Sequence, residues 1–284
     1  MEVVQDVAEV FATLPMFPVF NACHYTLMIL TTRYDTGSLA LSRSNPLANW
    51  VASMIACFGG YILADLLLGH SVLSFLAHPE DVVLASAIWY LLFYCPKDLF
   101  YKIISILPLK LVITALKETA RVRKLVAGIG AAAKVYPHSL LAQVIVGVAK
   151  ACGNEFLLNF EQAVRGVWKP DINAILKPSF SIKACVVGAV LIILGRTDIL
   201  MGISQEMVVL AVSLWLISVA VSMKAFHADD PFKPVENLFS PFIFGSADSL
   251  PADAHHHHPP APEPATPTPK PAGGRRRGKA AKAD

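Results

Sequence analysis

Seven apolar runs, separated by short polar connections, dominate the chain from Phe17 to Met223. A bilayer core of about 30 Å is crossed by roughly 20 mostly apolar residues in helical form. The runs at 17–32, 47–69, 82–106, 109–129, 139–164, 180–194 and 207–223 meet or approach that length. The first and sixth are short, and Pro15 and Pro18 blur the start of the first. Composition agrees, since 55% of the 284 residues are hydrophobic and 16% charged, with the charges gathered between the runs. The expected fold is an all-α polytopic membrane protein with seven transmembrane helices. The acidic N-terminal stretch MEVVQDVAEV lacks the basic region of a cleavable signal peptide.

Lysine and arginine in the short connections set the orientation. The first connection has Arg33 and Arg43, the third Lys97 and Lys102, and the fifth Arg165, Lys169 and Lys177, with Lys183 just beyond. The second has none and the sixth only Arg196, whereas Lys224, Lys233 and Arg275 to Lys282 follow the seventh run. Odd-numbered spans therefore end in the cytosol, with the N-terminus lumenal or outside and the C-terminus cytosolic.

One segment breaks this order. In LKLVITALKETARVRKLVAGI, residues 109–129, Lys117, Glu118, Arg121, Arg123 and Lys124 stand where lipid is expected. Read as a loop, the segment would place four cations on the lumenal side and leave too few residues to cross, so it is read as helix. At 100° per residue Lys117, Arg121 and Lys124 share one stripe, and Glu118 reaches Arg121 at i+3. Facing lipid, Lys117, Glu118 and Arg121 would each cost roughly 2.5 to 3.5 kcal/mol. Two readings follow: the cluster snorkels to headgroups, or it lines a cavity that holds an anion such as a lipid headgroup.

Glycines give a second pattern. The second run carries Gly59 and Gly60 near its middle and the fifth carries Gly153, each after an Ala-Cys step. Polar groups follow them: Asp65 in one, Asn154, Glu155 and Asn159 in the other. Each run is the second of a group of three, which points to an inverted 3+3 repeat plus a seventh helix. Gly59, Gly60 and Gly153 are then hinges that interrupt two pathway-lining helices, or simply sites of close helix packing. Asp65, Asp98, Glu118, Glu155 and Asn159 are the candidate pore-lining residues. For Asp98 a local ion pair with its neighbours Lys97 and Lys102 competes with that role, and Asn159 could equally bond to a neighbouring helix. No TVGYG-like filter is present, so modest selectivity is expected.

Cys23, Cys57, Cys95, Cys152 and Cys185 lie in or beside the runs, odd in number and without a CxxC pair, and read as reduced apolar residues. The sequence shows no zinc site, P-loop or nucleophile elbow, and the position of a calcium site cannot be read from it. Residues 227–284 form a proline-rich basic tail expected to be cytosolic and mostly disordered. It contains His255 to His258, read as at most a weakly metal-attracting tract, and ends in RRRGKAAKAD, suited to an anionic leaflet.

The segments FPVFN, LSRSNPLANW, FGGYILADLLLG, ASAIWYLLFYCPKDLFYK, LPLK, KETARVRK, NFEQAVRGVWKP and PFIFGSA resemble the trimeric intracellular cation channels, most closely their vertebrate A type. The resemblance runs from about Met16 to Ala247. It implies a potassium channel of endoplasmic and sarcoplasmic reticulum, a homotrimer of seven-helix protomers with one pore each. It further implies counter-ion current during calcium release, functional coupling to calcium-release channels, regulation by voltage and calcium, and no nucleic-acid partner. The family's lysine and the arginine four residues on, which engage a phosphoinositide lipid beside the pore, correspond here to Lys117 and Arg121. Three other classes fit the residues less well. A secondary transporter shares the inverted repeat but needs a midplane substrate cluster that is not seen. A seven-helix receptor shares the orientation but not the repeat, and an enzyme would need paired carboxylates or a placed nucleophile.

Overall fold

The computed structural model describes residues 2–167, 174–175, 177–196 and 203–244, with the side chains of Glu2 and 240–244 excepted. Contacts divide the chain into a helical body, residues 1–236, and a second segment from 237 onward. Twelve α-helices occur among the described residues: α1 (Glu2–Thr13), α2 (Val19–Tyr34), α3 (Ser38–Ser44), α4 (Pro46–Leu68), α5 (Pro79–Tyr94), α6 (Leu99–Ile104), α7 (Leu107–Val135), α8 (Leu140–Phe156), α9 (Leu158–Val164), α10 (Phe180–Leu194), α11 (Gln205–Phe226) and α12 (Lys233–Phe244).

Local chemistry explains most boundaries. Asn45 caps α4 by accepting the Ala48 amide, Pro46 opens the first turn, and Gly69 closes the helix in the left-handed region at φ 71°. Ser139, Ser179 and Ser204 cap α8, α10 and α11 in the same way. Each such cap is worth about 1 kcal/mol.

Each expected run contains helix, but not every run is a helix long and apolar enough to cross a membrane by itself. By length and hydropathy three helical stretches can cross a membrane: α4, α8 with α9 taken together, and α11. The stretch 82–106 is a bent pair, α5 and then a 3-10 turn leading into α6, turned by 94°. Proline at 96 forces Cys95 into an extended conformation, and Lys97 and Asp98 adopt φ of 57° and 55°, so the helix cannot continue. α10 has 15 residues, and α7, at 29 residues, is longer than its run but too charged to pass on composition.

Three helices lie outside the expected runs. α1 precedes the first and packs on α11, α3 lies in the first connection, and α12 occupies part of the tail expected to be mostly disordered. The stretch before α12 and the first turn of that helix are anchored: Lys183 contacts Asp230 at 2.9 Å and Glu236 at 2.6 Å, and the Phe232 ring packs on Phe180 and Trp215. His255 to His258 and the final basic residues lie outside the described residues, as does Lys169.

The body has two main cores. One, between α2, α4 and α5, is aromatic, with Tyr25, Phe58 and Phe93 almost fully buried. The other, between α7, α8, α10 and α11, is built from small and branched residues such as Leu125, Ile129, Cys152, Cys185 and Ile192. α7 contributes Ile113 to the first and Val122, Leu125 and Ile129 to the second, so its charged middle lies between them.

Candidate functional site: a buried ionic cluster beside an acidic cavity

The charged face of α7 is covered by α2, α8, α10 and α11. The i+3 ion pair expected from spacing is present, with Arg121 Nε 2.9 Å from Glu118 Oε2, although the two atoms are not aligned as a hydrogen bond. Arg121 Nη1 donates to Cys152 Sγ at 3.1 Å and to Glu155 Oε1 at 3.3 Å, both on α8. Glu155 in turn accepts from the hydroxyl of Ser179 before α10. The Arg121 and Glu118 side chains are only 3% and 5% exposed, whereas Lys117, its Nζ 3.9 Å from Glu118 Oε1, is 13% exposed. A buried cation in such surroundings requires carboxylate partners, because an uncompensated one costs several kcal/mol.

Further along α7, Lys124 lies with its ammonium 5.1 Å above the Tyr61 ring, which also carries the ammonium of Lys150 at 5.4 Å. Tyr61 belongs to the lining of a cavity of about 600 Å³ that includes Asn21, Asp65, Asp81, Ser74 and Lys150. There Asp65 accepts from the Ser74 hydroxyl, and Asn21 donates to Asp81 at 2.8 Å. Tyr61 thus joins an acid-lined cavity to the cationic face of α7. Carboxylates at a cavity mouth raise local cation concentration, and ring faces tolerate ammonium groups without neutralising them.

The structure places the other expected residues variously. Gly59 and Gly60 do not interrupt α4, which runs unbroken from Pro46 to Leu68. They lie where α4 crosses α8: a Cβ on Gly60 would overlap the Lys150 carbonyl oxygen, and one on Gly153 would come within 2.5 Å of the Gly59 oxygen and 2.6 Å of the Gly60 Cα. Close approach of two backbones is the reason for glycine here, as small residues at helix crossings permit. The fifth run does break, but at Leu157, between α8 and α9.

Asp98 pairs with Arg33 of α2 at 3.2 Å rather than with its neighbours Lys97 and Lys102, because the bend after α5 carries it across to α2. Arg33 is held there by the rings of Tyr101 and Phe93. Asn159 is partly buried, with an Oδ1 that has no hydrogen-bond partner. All five cysteines are unpaired thiols. Among the described residues no three His, Cys, Asp or Glu side chains converge as a metal site would require.

Sequence reasoning does not single out Tyr61, Asp81, Lys150 or Lys224. Lys224 of α11 donates to Thr114 Oγ1 of α7 at 2.9 Å. Lys150 carries a usable signal, as a lysine in the middle of an apolar run.

Residues 35–227 match the family model described as TRIC channel. The trimeric intracellular cation channel type A of Gallus gallus is 42% identical over 245 residues, covering 86% of this chain and 82% of the relative. The type 1B.1 channel of Caenorhabditis elegans is 41% identical over 246 residues, covering 86% and 83%. A solved structure described as the basis for activity of TRIC counter-ion channels in calcium release superposes with a TM-score of 0.75 at 37% identity, covering 79% of this chain and all of that one. A Caenorhabditis elegans trimeric intracellular cation channel solved without Ca²⁺ gives 0.74 at 34% identity, covering 81% and 99%.

Proposed function

The chain belongs to the TRIC channel family, and from that membership we propose that it is a potassium-conducting cation channel of the endoplasmic or sarcoplasmic reticulum, supplying counter-ion current during calcium release. Its relatives are channels, not enzymes. The observation that carries the reading is the placement of the α7 cations: buried, matched only in part by carboxylates of α7 and α8, and linked through Tyr61 to an acid-lined cavity. A wholly structural helix has little reason to hold that much charge between two apolar cores.

In this reading three protomers assemble, as the relatives' name states for them, each an inverted 3+3 repeat of spans plus a seventh helix. The crossing of α4 and α8 at Gly59, Gly60 and Gly153 supports that arrangement, since it brings together the second spans of the two repeats. The N-terminus is lumenal and the C-terminus cytosolic, by the distribution of Lys and Arg. A phosphoinositide headgroup engages the Lys117 and Arg121 region, and calcium and voltage modulate opening. A Caenorhabditis elegans relative has been solved with bound Ca²⁺.

The test is single-channel recording of the purified protein in planar bilayers under a potassium gradient, with calcium varied on each side. Cation-selective unitary currents are expected from the native chain. Gly60→Leu, which pushes α4 and α8 apart, is expected to abolish them. Silence from a correctly assembled native protein across a wide voltage range would overturn the reading.

A further inference from the structure

α1 presents three faces to three surroundings. Its packing side carries Ala8, fully buried, with Gln5 and Ala12 half-buried beside it. Two hydrogen bonds fix that side: the Ser204 hydroxyl that caps α11 donates to Gln5 Oε1 at 2.8 Å, and Arg123 of α7 donates to the Ala12 carbonyl oxygen. At 100° per residue Asp6, Glu9 and Thr13 share an arc of about 60°, and Val3, Val7 and Val10 share another of about 60°, turned away from the packing side. Those valines are 74%, 52% and 62% exposed, and Asp6, Glu9 and Thr13 are exposed as well. The helix therefore offers one side to the protein, one to water and one to an apolar medium.

Beside α1 an open groove of about 530 Å³ runs along α10 and α11, with Val4, Leu191, Met207, Leu210, Leu214 and Trp215 in its lining. Among the described residues no charged, amide or hydroxyl side chain lines it, which suits a hydrocarbon chain and gives a headgroup nothing to bind. From the start of α11 at Gln205 to Trp215 is a rise of about 15 Å, half of a bilayer core of about 30 Å. The groove is about one leaflet deep. α11 can cross a membrane by length and hydropathy, yet only 28% of its apolar stretch is buried in the protein, against 50% for α4. α1 lies at the end of the groove where α11 begins, because Gln5 is tied to the α11 cap and Val4 forms part of the groove wall.

We infer that α1 is an interfacial helix with its valine face set among lipid chains, and that it closes one end of a groove holding a single acyl chain of a phospholipid. The leaflet is the one in which α11 begins, lumenal in the orientation given above, and that orientation is all the inference takes from the channel reading. An amphipathic helix in the membrane interface sinks its apolar face about 5–10 Å deep and leaves its polar face wet. Such helices are commonly basic, whereas α1 carries Asp6 and Glu9 and neither Lys nor Arg. The anionic cytosolic leaflet would repel those carboxylates, and a leaflet of neutral headgroups does not. The charge of α1 thus agrees with the lumenal side.

The experiment places the purified full chain in phosphatidylcholine bilayers containing a phosphatidylcholine with a photoreactive diazirine in its acyl chain, and locates the adducts by peptide mass spectrometry. Adducts are expected on α11 between Met207 and Trp215. Ala211→Trp, on the exposed wall of the groove, fills it and should remove those adducts while adducts on other lipid-facing helices persist. Ala211→Ser should retain them. With chain-brominated phosphatidylcholine, the fluorescence added by Val7→Trp should be quenched and that added by Glu9→Trp should not, and phosphatidylserine in place of phosphatidylcholine should weaken the quenching. Adducts on α11 that survive Ala211→Trp would overturn the groove as a site and leave only bulk lipid there. Labelling of the groove by a photoreactive cholesterol in place of the phospholipid would assign it to a sterol and overturn the acyl-chain inference. Fluorescence of Val7→Trp that escapes quenching, together with loss of the oligomer, would give the valine face to a second copy of the chain and overturn the interfacial helix. Quenching undiminished in phosphatidylserine would overturn the assignment to the neutral leaflet. None of these readouts depends on current, so recordings on the same preparation test the channel reading separately.

Discussion

Arg121 and Arg165 are both buried arginines with two acidic partners, yet they are held in opposite ways. Arg165 donates from Nε to Glu161 Oε1 at 2.6 Å and from Nη2 to Glu161 Oε2 at 2.9 Å and to Asp35 Oδ2 at 2.6 Å. That is a forked, charge-assisted arrangement tying α9 to the turn after α2. Arg121 makes longer contacts, one of them to a sulfur atom and one to Glu118 without hydrogen-bond alignment. Arg165 closes a joint, whereas Arg121 sits in a cluster that has charge to spare. Burial alone therefore does not distinguish a structural ion pair from a functional one; alignment and local charge balance do.

The comparison breaks most readily at Arg165. Arg165→Ala strands Glu161, whose side chain is 2% exposed, and should destabilise the protein by about 3 to 5 kcal/mol. Thermal unfolding in detergent measures this, and an unchanged midpoint would mean that the fork carries no weight. Arg121→Ala should lower stability by less, about 1 to 2 kcal/mol, because Lys117 remains beside Glu118 and the hydrogen bonds removed are one to a weakly accepting thiol and one of 3.3 Å to Glu155. Its larger effect should appear in open probability in bilayer recordings. Equal losses of stability in the two variants would erase the distinction.

The smallest effect is expected at the joint before α12. Burial opposes ionisation of Asp230, but the Phe232 amide and the Lys183 ammonium outweigh it and hold the carboxyl below its ordinary value of 3.8. A carboxyl depressed on folding stabilises above its unfolded pKa, and that contribution is lost as pH falls through the lower folded value. Asp230→Asn should therefore flatten the acid limb of the stability curve below about pH 4, by a few tenths of a kcal/mol, as befits an outlying pair. An acid limb identical to that of the native chain would show that Lys183 anchors this stretch through Glu236 instead.

Much of this architecture is legible without the fold, and the failures have identifiable causes. The run 82–106 contains Cys95-Pro96, a local instruction to end a helix, but its hydropathy is continuous and conceals the 94° bend. Gly59 and Gly60 are visible as an anomaly, yet whether glycine serves a break or a crossing depends on what approaches it. Here Gly60 meets the backbone of Lys150, 90 residues on, and Gly59 that of Gly153 and Asn154. Proximity in sequence pairs Asp98 with the cations beside it, and the bend gives it to Arg33. α1 and α12 escape notice because each has only 12 residues, too few to register as a span.

Sequence alone determined the solvent of this protein, the set of helical runs and the stripe of charge along α7. Composition and the 3.6-residue period are local properties, and they place Lys117, Arg121 and Lys124 on one face whatever surrounds them. Tertiary structure decided which groups meet that face. Glu155 lies 34 residues from Arg121 and Thr114 lies 110 from Lys224, and no local periodicity couples such distances. Their partnerships arise from how α8 and α11 pack around α7, where backbone proximity and the high cost of unpaired charge select one arrangement.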